Sequence, residues 1–455
     1  MTASLELAER ALAAVRAGDG AQATVVGERS LMLRFARSQP TQATAVDDTS
    51  VEISVLRDGH VAGASTNGGT GDELAACARE AERAAEAAAR HGEPGAYPGF
   101  PEPAGSRAHA GHDPETALLD PAAGGAALRQ VFDAAASRGV DGHGIWTAGE
   151  VTTAIASTAG MLAIDRVTDA GLRVTCVAPG GRSGHAASTA TATGAIDAAA
   201  VAARAASRAS VRGEPKRLGS GDYAVVLECY AVAELLEQLG RLALNGLAYA
   251  EDRSAVSGRL GTQVAAPSVN LADSPRYARS LPRAFDAEGV PKRPMPLIQD
   301  GVAHAVVHDT RSGALAGVRS TGHALEPAGA PYGPRPTNMV LAAGGAADEA
   351  ELCRPIERGV YVTRLWYTNP VRPKETLITG VTRDGTLLIE DGEVVAPLED
   401  LRFTDTVLGV LERTQALTAQ PTLVGDHGFY GRRFATGVVC PGLRASSMHF
   451  TGAVP

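Results

Sequence analysis

The sequence predicts an α+β fold in two units, with helices laid on an antiparallel or mixed sheet followed by a mainly β half. Three observations carry this. The chain has 455 residues, 44% of them hydrophobic, enough for two or three real cores and too many for global disorder. Alanine-rich stretches with helical spacing fall in the first half. Between Ala350 and Ala396 alanine is absent, and Val, Thr, Ile, Leu, Tyr and Trp take its place.

In chain order, Leu5, Ala8, Leu12 and Val15 share one face of a first helix, with Ser4 as a plausible N-cap and Gly18 and Gly20 to end it. Two extended stretches follow, from about Ala23 to Arg37 and from Val51 to Ala64, with a hairpin-type turn at Arg57-Asp58-Gly59-His60. Asp72 can cap a second helix running to about Arg90, and a loop rich in Gly, Pro and His leads on to about Pro114. A helix near Pro121 to Arg138 precedes three strand-like runs: Gly144–Ala156, Met161–Val167 and Leu172–Val177. Ser157–Gly160 and Asp169–Gly171 read as the turns between them. Ile196 to Ser207 is a further helix. The polar segment from Val211 to Gly221 marks a boundary, dividing residues 1–215 from 216–455. Beyond it, Gly359–Trp366 and Thr376–Glu390 alternate as half-buried strands do, with turns at Arg383-Asp-Gly385 and Asp391-Gly392.

Charge and composition exclude several functions. Lysine plus arginine total 42 against 51 acidic residues, a net charge of -9, which argues against a nucleic-acid binder. No run approaches ~18 consecutive apolar residues, and the N-terminus lacks the pattern of a signal peptide. The five cysteines are widely spaced without a C-x-x-C, so neither a disulfide framework nor a zinc ribbon is expected, and the cytoplasm is the simplest location.

Conventional catalytic motifs are missing. There is no phosphate-binding P-loop and no nucleophile elbow. Gly219-Ser-Gly221 precedes a strand and cannot aim a helix at a pyrophosphate. His304 and His308 have the spacing of a helical zinc pair, but Ala305 stands where a zincin carries its glutamate, and the alternating flanks suit a strand face better. Cys440 with His449 is a weak metal candidate. Cys229, at a strand-to-helix junction, reads as a small core residue rather than a nucleophile. Asp286 and Glu288, at i,i+2, fall on one face of an extended segment; general acid/base chemistry or a turn role are both open.

Several ordered segments resemble the TldD/PmbA family, described as modulators of DNA gyrase and as microcin-maturation proteases. They are Phe285-Asp-Ala-Glu-Gly-Val290, Gln299-Asp-Gly-Val302, His308-Asp-Thr-Arg311, Ser320-Thr-Gly-His323, Pro336-Thr-Asn338, Gly359–Arg364, Thr379–Gly385 and Ile389–Glu393. Asp58-Gly59 and Ala64–Asn67 extend the resemblance through the first half. The family's catalytic subunit carries H-E-x-x-x-H on the first helix of its C-terminal domain, with a distant cysteine completing the zinc ligands. Here that place reads Val225-Val-Leu-Glu-Cys-Tyr-Ala-Val-Ala-Glu234, and no histidine occurs between His185 and His304. Glu228, Cys229 and Glu234 occupy the degenerate motif. The resemblance therefore implies a PmbA/TldE-like chain that holds no zinc and catalyses nothing alone. It would form a heterodimer with a TldD-type catalytic subunit that supplies zinc, around a cavity for unfolded or modified peptide. Asp286, Glu288 and Asn338 are the candidates for the cavity or the peptide. The alternatives are a stand-alone hydrolase or tailoring enzyme, with His304, His308, Asp309, Asp286 and Glu288 as its site, and a homodimeric peptide-binding protein without proteolysis.

Overall fold

The structure, a computed structural model, describes residues 2–92, 95–327, 329–429 and 431–453. Its first half is built on a six-stranded sheet of order β3-β2-β1-β4-β5-β6. The strands are β1 (Gly20–Ala36), β2 (Gln39–Arg57), β3 (His60–Thr66), β4 (Asp141–Ser157), β5 (Leu162–Val177) and β6 (Ser183–Ala190). Every pairing is antiparallel. The helices α1 (Ala3–Ala13), α2 (Gly71–His91), α3 (Pro121–Ser137) and α4 (Ala198–Ala209) cover one face only. Ala21, Ala23, Val25, Val51, Ile53 and Val55 bury against α1 and α2, and Phe35, Trp146, Ala148, Leu172 and Val174 bury against α3 and α4. The period of two then forces Gln22, Thr24, Glu52, Ser54 and Thr153 onto the opposite face. That face meets the second half of the chain instead of bulk water.

Two expected turns are not turns. β5 runs unbroken through Asp169–Gly171, because the glycine is there for close approach: a Cβ on Gly171 would lie 1.8 Å from the His427 ring. Asp169 is likewise an anchor, its carboxylate taking Nε and Nη2 of buried Arg433 at 2.8 and 2.6 Å. The Arg383-Asp-Gly385 segment is a bulge inside one strand, with φ of 57° at Asp384 and 129° at Gly385. It aims Asp384 at Arg364 (2.8 Å) and at the Ser183 hydroxyl (2.6 Å). β2 also starts twelve residues earlier than expected, because Arg37 and Ser38 make a tight hairpin with positive φ and without the usual glycine.

The second half stacks two sheets about a buried helix. After β7 (Gly221–Leu227) come α5 (Cys229–Leu242), α6 (Gly246–Ala250), β8 (Leu271–Asp273), β9 (Met295–Gln299), β10 (Val302–Ala303), α7 (Thr310–Ala316) and β11 (Met339–Leu341). The remaining elements are α8 (Glu349–Cys353), β12 (Arg358–Arg372), β13 (Leu377–Glu390), β14 (Glu393–Pro397), β15 (Leu401–Thr406), α9 (Val407–Glu412), β16 (Thr414–Leu417), β17 (Thr422–Gly425), β18 (Gly437–Cys440) and β19 (Leu443–Ala453). One sheet has the order β10-β9-β8-β11-β18-β17 and the other β12-β7-β19-β15-β13-β14. Leu235, Leu236 and Leu239 of α5 join Leu271, Met339, Val360, Phe403 and Phe450 in one continuous core. Among the described residues no helix is long and apolar enough to cross a membrane.

Candidate functional site

Two places concentrate the candidate residues. The first is the start of α5. Here β7 hands over to Glu228, which caps the helix with extended backbone and is fully buried. A buried carboxylate needs compensation, and it has a full set. Arg208 Nε donates at 2.7 Å, Arg204 Nη2 at 3.1 Å, the Tyr361 hydroxyl at 2.7 Å and the Thr363 hydroxyl at 3.1 Å. Cys229 is buried beside it, and burial, with Glu228's charge second, pushes its thiol up to about 12. The Cys440 thiol lies against the same helix start and donates to the Cys229 carbonyl at 3.2 Å. Burial raises its pKa well above the ordinary range. Glu234 accepts from the Thr368 hydroxyl and, at 3.4 Å, from Gln238.

These groups do not suit a zinc ion. The carboxylate is fully committed to two arginines and two hydroxyls, both thiols resist ionisation, and no imidazole is present. Among the described residues no group of three or more metal-capable side chains occurs anywhere. The histidine pair is divided. β10 ends at Ala303, so the expected continuous strand is absent: His304 is exposed on a loop, whereas His308 is buried at the entry to α7 with its Nδ1 3.3 Å from the Ser312 hydroxyl. His449 pairs with Asp222 at 2.8 Å, its side chain 44% exposed, whereas Cys440 is fully buried.

The second place is a cavity of about 610 Å³ between the polar face of the first sheet and the loops of the second half. Gln22, Thr24, Glu52, Ser54 and Thr153 form one wall; Asp286, Glu288, Lys292, Asp309, His323 and Thr337 form the other. The paired carboxylates of the sequence thus do line one cavity. Asp286 Oδ1 accepts the backbone N–H of Glu288 and Val290 at 3.0 and 2.9 Å, and Oδ2 that of Ala324 at 2.8 Å. This loop geometry explains the i,i+2 spacing. Burial still pushes Asp286 up to about 6. Glu288 Oε2 accepts from Thr310 N and Oγ1 at 3.0 and 2.5 Å. Burial and then the charge of Asp286 push Glu288 up to about 8. At neutral pH the pair therefore keeps one proton, and the three N–H donors on Asp286 favour its place on Glu288.

Lys292 and His323 of this wall belong to a charged cluster with Asp273 behind them, which sequence reasoning missed. Lys292 Nζ lies 3.6 Å from Asp273 Oδ1 and donates to the Gly322 carbonyl at 3.2 Å; His323 Nε2 lies 3.3 Å from the same Asp273 oxygen. Asp273 stays well below the usual carboxylate range: burial opposes ionisation, but Lys292 and His323 outweigh it. Burial lowers Lys292. The available signal was that Lys292, one of three lysines, follows the carboxylate pair by four residues. Asn338 is not among the lining side chains. It stands behind them, donating from Nδ2 to Leu281 O at 2.6 Å and from its backbone to Asp273 at 2.8 Å.

A helix-backed sheet closing a polar chamber against a two-sheet domain defines the class: a chamber-forming α+β protein whose central helix begins at a locked ion cluster. Comparison with known proteins supplies the family. Models of the PmbA/TldA metallopeptidase match residues 21–85 (domain 1), 122–212 (central domain) and 220–452 (C-terminal domain). The chain belongs to the PmbA/TldD metallopeptidase family. It is 24% identical over 238 residues to a metalloprotease TldD homolog of Haemophilus influenzae, covering 51% of this chain and 49% of that one. It is 26% identical over 209 residues, 46% of this chain and 45% of the relative, to a metalloprotease of Methanothermobacter thermautotrophicus. The matches thus span about half the length of these curated relatives. The fold is similar to TldE from Thermococcus kodakarensis, with a TM-score of 0.85 at 17% identity over 98% of this chain and 99% of that one. A Thermotoga maritima protein provisionally described as a modulator of a DNA gyrase gives 0.82 at 20% identity, over 95% and 96% of the two chains.

Proposed function

We propose that this chain is the PmbA/TldE-type subunit of a cytoplasmic zinc metallopeptidase complex, inert alone. It would form a heterodimer with a TldD-type partner that holds the zinc and cleaves unfolded or modified peptide. The observation that carries the reading is the start of α5, where two arginines and two hydroxyls lock Glu228 and the neighbouring thiols are buried and hard to ionise. Catalytic zinc needs three protein ligands free to donate a lone pair and an open position for water, and this helix start offers neither. The chamber, by contrast, is lined with polar groups, and extended peptide can add its backbone to strand-rich walls. The test is to measure zinc content and peptide cleavage for the chain alone, for a TldD-type partner alone, and for the mixture. Cleavage that appears or rises at least tenfold only in the mixture, with zinc tracking the partner, is the expected result. Stoichiometric zinc and turnover in the lone chain would overturn it.

A second reading, a stand-alone hydrolase, draws on the Asp286–Glu288 pair, in which one carboxyl keeps a proton at neutral pH, as a general acid must. Turnover in the lone chain abolished by Glu288→Gln would decide for it.

A further inference from the structure

We propose that the chamber holds a cation subsite, anchored on Glu288 and supported by Glu52 from the facing wall, that takes an ammonium or guanidinium group of a bound peptide. The inference deepens the peptide-chamber reading and rests on it for the nature of the ligand. The argument begins with which charges in the cavity are already committed. Arg283 donates to the Ala435 carbonyl at 3.2 Å and lies over the Phe434 ring; Lys292 is held by Asp273; Arg432 pairs with Glu326 at 3.7 Å. Asp286 is satisfied by three backbone N–H groups, and Asp165 by His109 and Ala284 N, each at 2.8 Å. Asp309 is engaged as the cap of α7, accepting from Ser312 N at 2.7 Å, and Arg311 lines the cavity from the exposed side of that helix. Glu288 and Glu52 remain as carboxyls with no ion-pair partner among the described residues.

A third group points the same way. Gln22 lines this chamber and is only 6% exposed, yet its side-chain oxygen has no hydrogen-bond partner among the described residues. Its amide nitrogen is shared between Ala287 O at 2.9 Å and Thr24 Oγ1 at 3.2 Å. Ala287 precedes Glu288, and Thr24 is the register partner of Glu52. Gln22 therefore ties the two acidic walls together and leaves an acceptor idle between them. A buried acceptor without a donor is costly, as is a buried carboxyl without a countercharge, and a ligand bringing two or more N–H donors with a positive charge answers all three. Burial pushes Glu52 up to about 7 despite Arg432, and burial together with the charge of Asp286 pushes Glu288 up to about 8. A neutral or anionic ligand would leave this strain in place.

The experiment uses the purified full chain, without partner or metal, in titration calorimetry. The probes are acetyl-Ala-Arg-Ala-amide (guanidinium only), Ala-Ala-Ala-amide (N-terminal ammonium only) and acetyl-Ala-Gln-Ala-amide (neutral). At least one cationic probe is expected to bind tenfold or more tightly than the neutral one, and which does so identifies the source of the charge. Glu288→Gln should weaken it at least tenfold and Glu52→Gln severalfold, while Glu393→Gln on the exposed surface leaves it unchanged. Equal binding of charged and neutral probes, no binding of either at millimolar concentration, or indifference to both chamber substitutions would overturn the proposal. Glu52 and Glu288 sit on separate walls, so misfolding of one variant leaves the other to decide. Because no partner is present, failure here is distinct from failure of partner-dependent cleavage.

Discussion

Replacing Glu288 with glutamine should stabilise the protein in alkaline solution and hardly at all in acid. The carboxyl ordinarily titrates near 4.5 and in the fold near 8, pushed up by burial and by Asp286, with Asp309 adding to the repulsion and Thr310 opposing it. A group whose folded pKa is raised contributes stability that is complete below the unfolded value and is lost as pH climbs through the folded one. The window is therefore pH 4.5 to 8. At about 1.4 kcal/mol per pH unit the full span of about 3.5 units is on the order of 5 kcal/mol. Glutamine keeps an acceptor for Thr310 and never ionises, so it escapes that loss. Urea titrations at pH 5 and pH 8.5 measure it. The difference between variant and wild type should stay within about 1 kcal/mol at pH 5 and reach roughly 3–5 kcal/mol in the variant's favour at pH 8.5. A difference that is the same at both values, or that favours wild type at high pH, would refute the account of a carboxyl held protonated in the chamber wall.

Three further outcomes follow from the same structure. Glu228→Ala strips the charge that compensates Arg204 and Arg208 and should cost about 3–5 kcal/mol in chemical denaturation; a loss below about 1 kcal/mol would show that the cluster is not a structural lock. Gly171→Ala puts a methyl into the His427 ring and should cost roughly 1–3 kcal/mol as that loop shifts, read as a lowered urea midpoint against an unchanged control, Glu80→Gln on the exposed face of α2. All five cysteines are free and buried, and burial raises Cys176 and Cys353 to about 11 and Cys229 to about 12. Ellman's reagent at pH 8 should therefore label none within minutes until denaturant is added, and prompt reaction of even one thiol contradicts the burial.

The helices and the alternation of the strands were legible because they rest on local spacing. Thr70, not Asp72, caps α2, in a capping box with Glu73, but the helix itself lies where its alanine face demands. What misled were glycines and polar residues serving distant contacts. Gly171 and Asp169 read as a turn because their partners, His427 and Arg433, lie more than 250 residues away in sequence. Gly385 read the same way, although it belongs to a bulge. The candidate site divides along the same line. Asp286 and Glu288 could be seen as a pair, since one loop makes both. Lys292, Asp273 and His323 meet only through the tertiary packing of the second half, and Gln22 and Glu52 join them only when the first sheet closes on it.

The chamber and the locked helix start also bear on each other energetically. At α5 the chain has converted buried charge into a closed network that holds Glu228 rigidly. In the cavity the opposite choice is made. Two carboxyls are held above their ordinary titration range and an amide oxygen is left idle, although the alternation of β1 and β2 would equally have allowed apolar side chains there. Leucine or valine on that face would join the two halves of the molecule with the stability of an ordinary core. A Gln22→Leu, Glu52→Leu double variant is accordingly expected to raise the urea midpoint while abolishing binding of the cationic peptide probes. If it lowered stability instead, the polar wall would be a structural necessity, and the chamber would need no ligand to account for it.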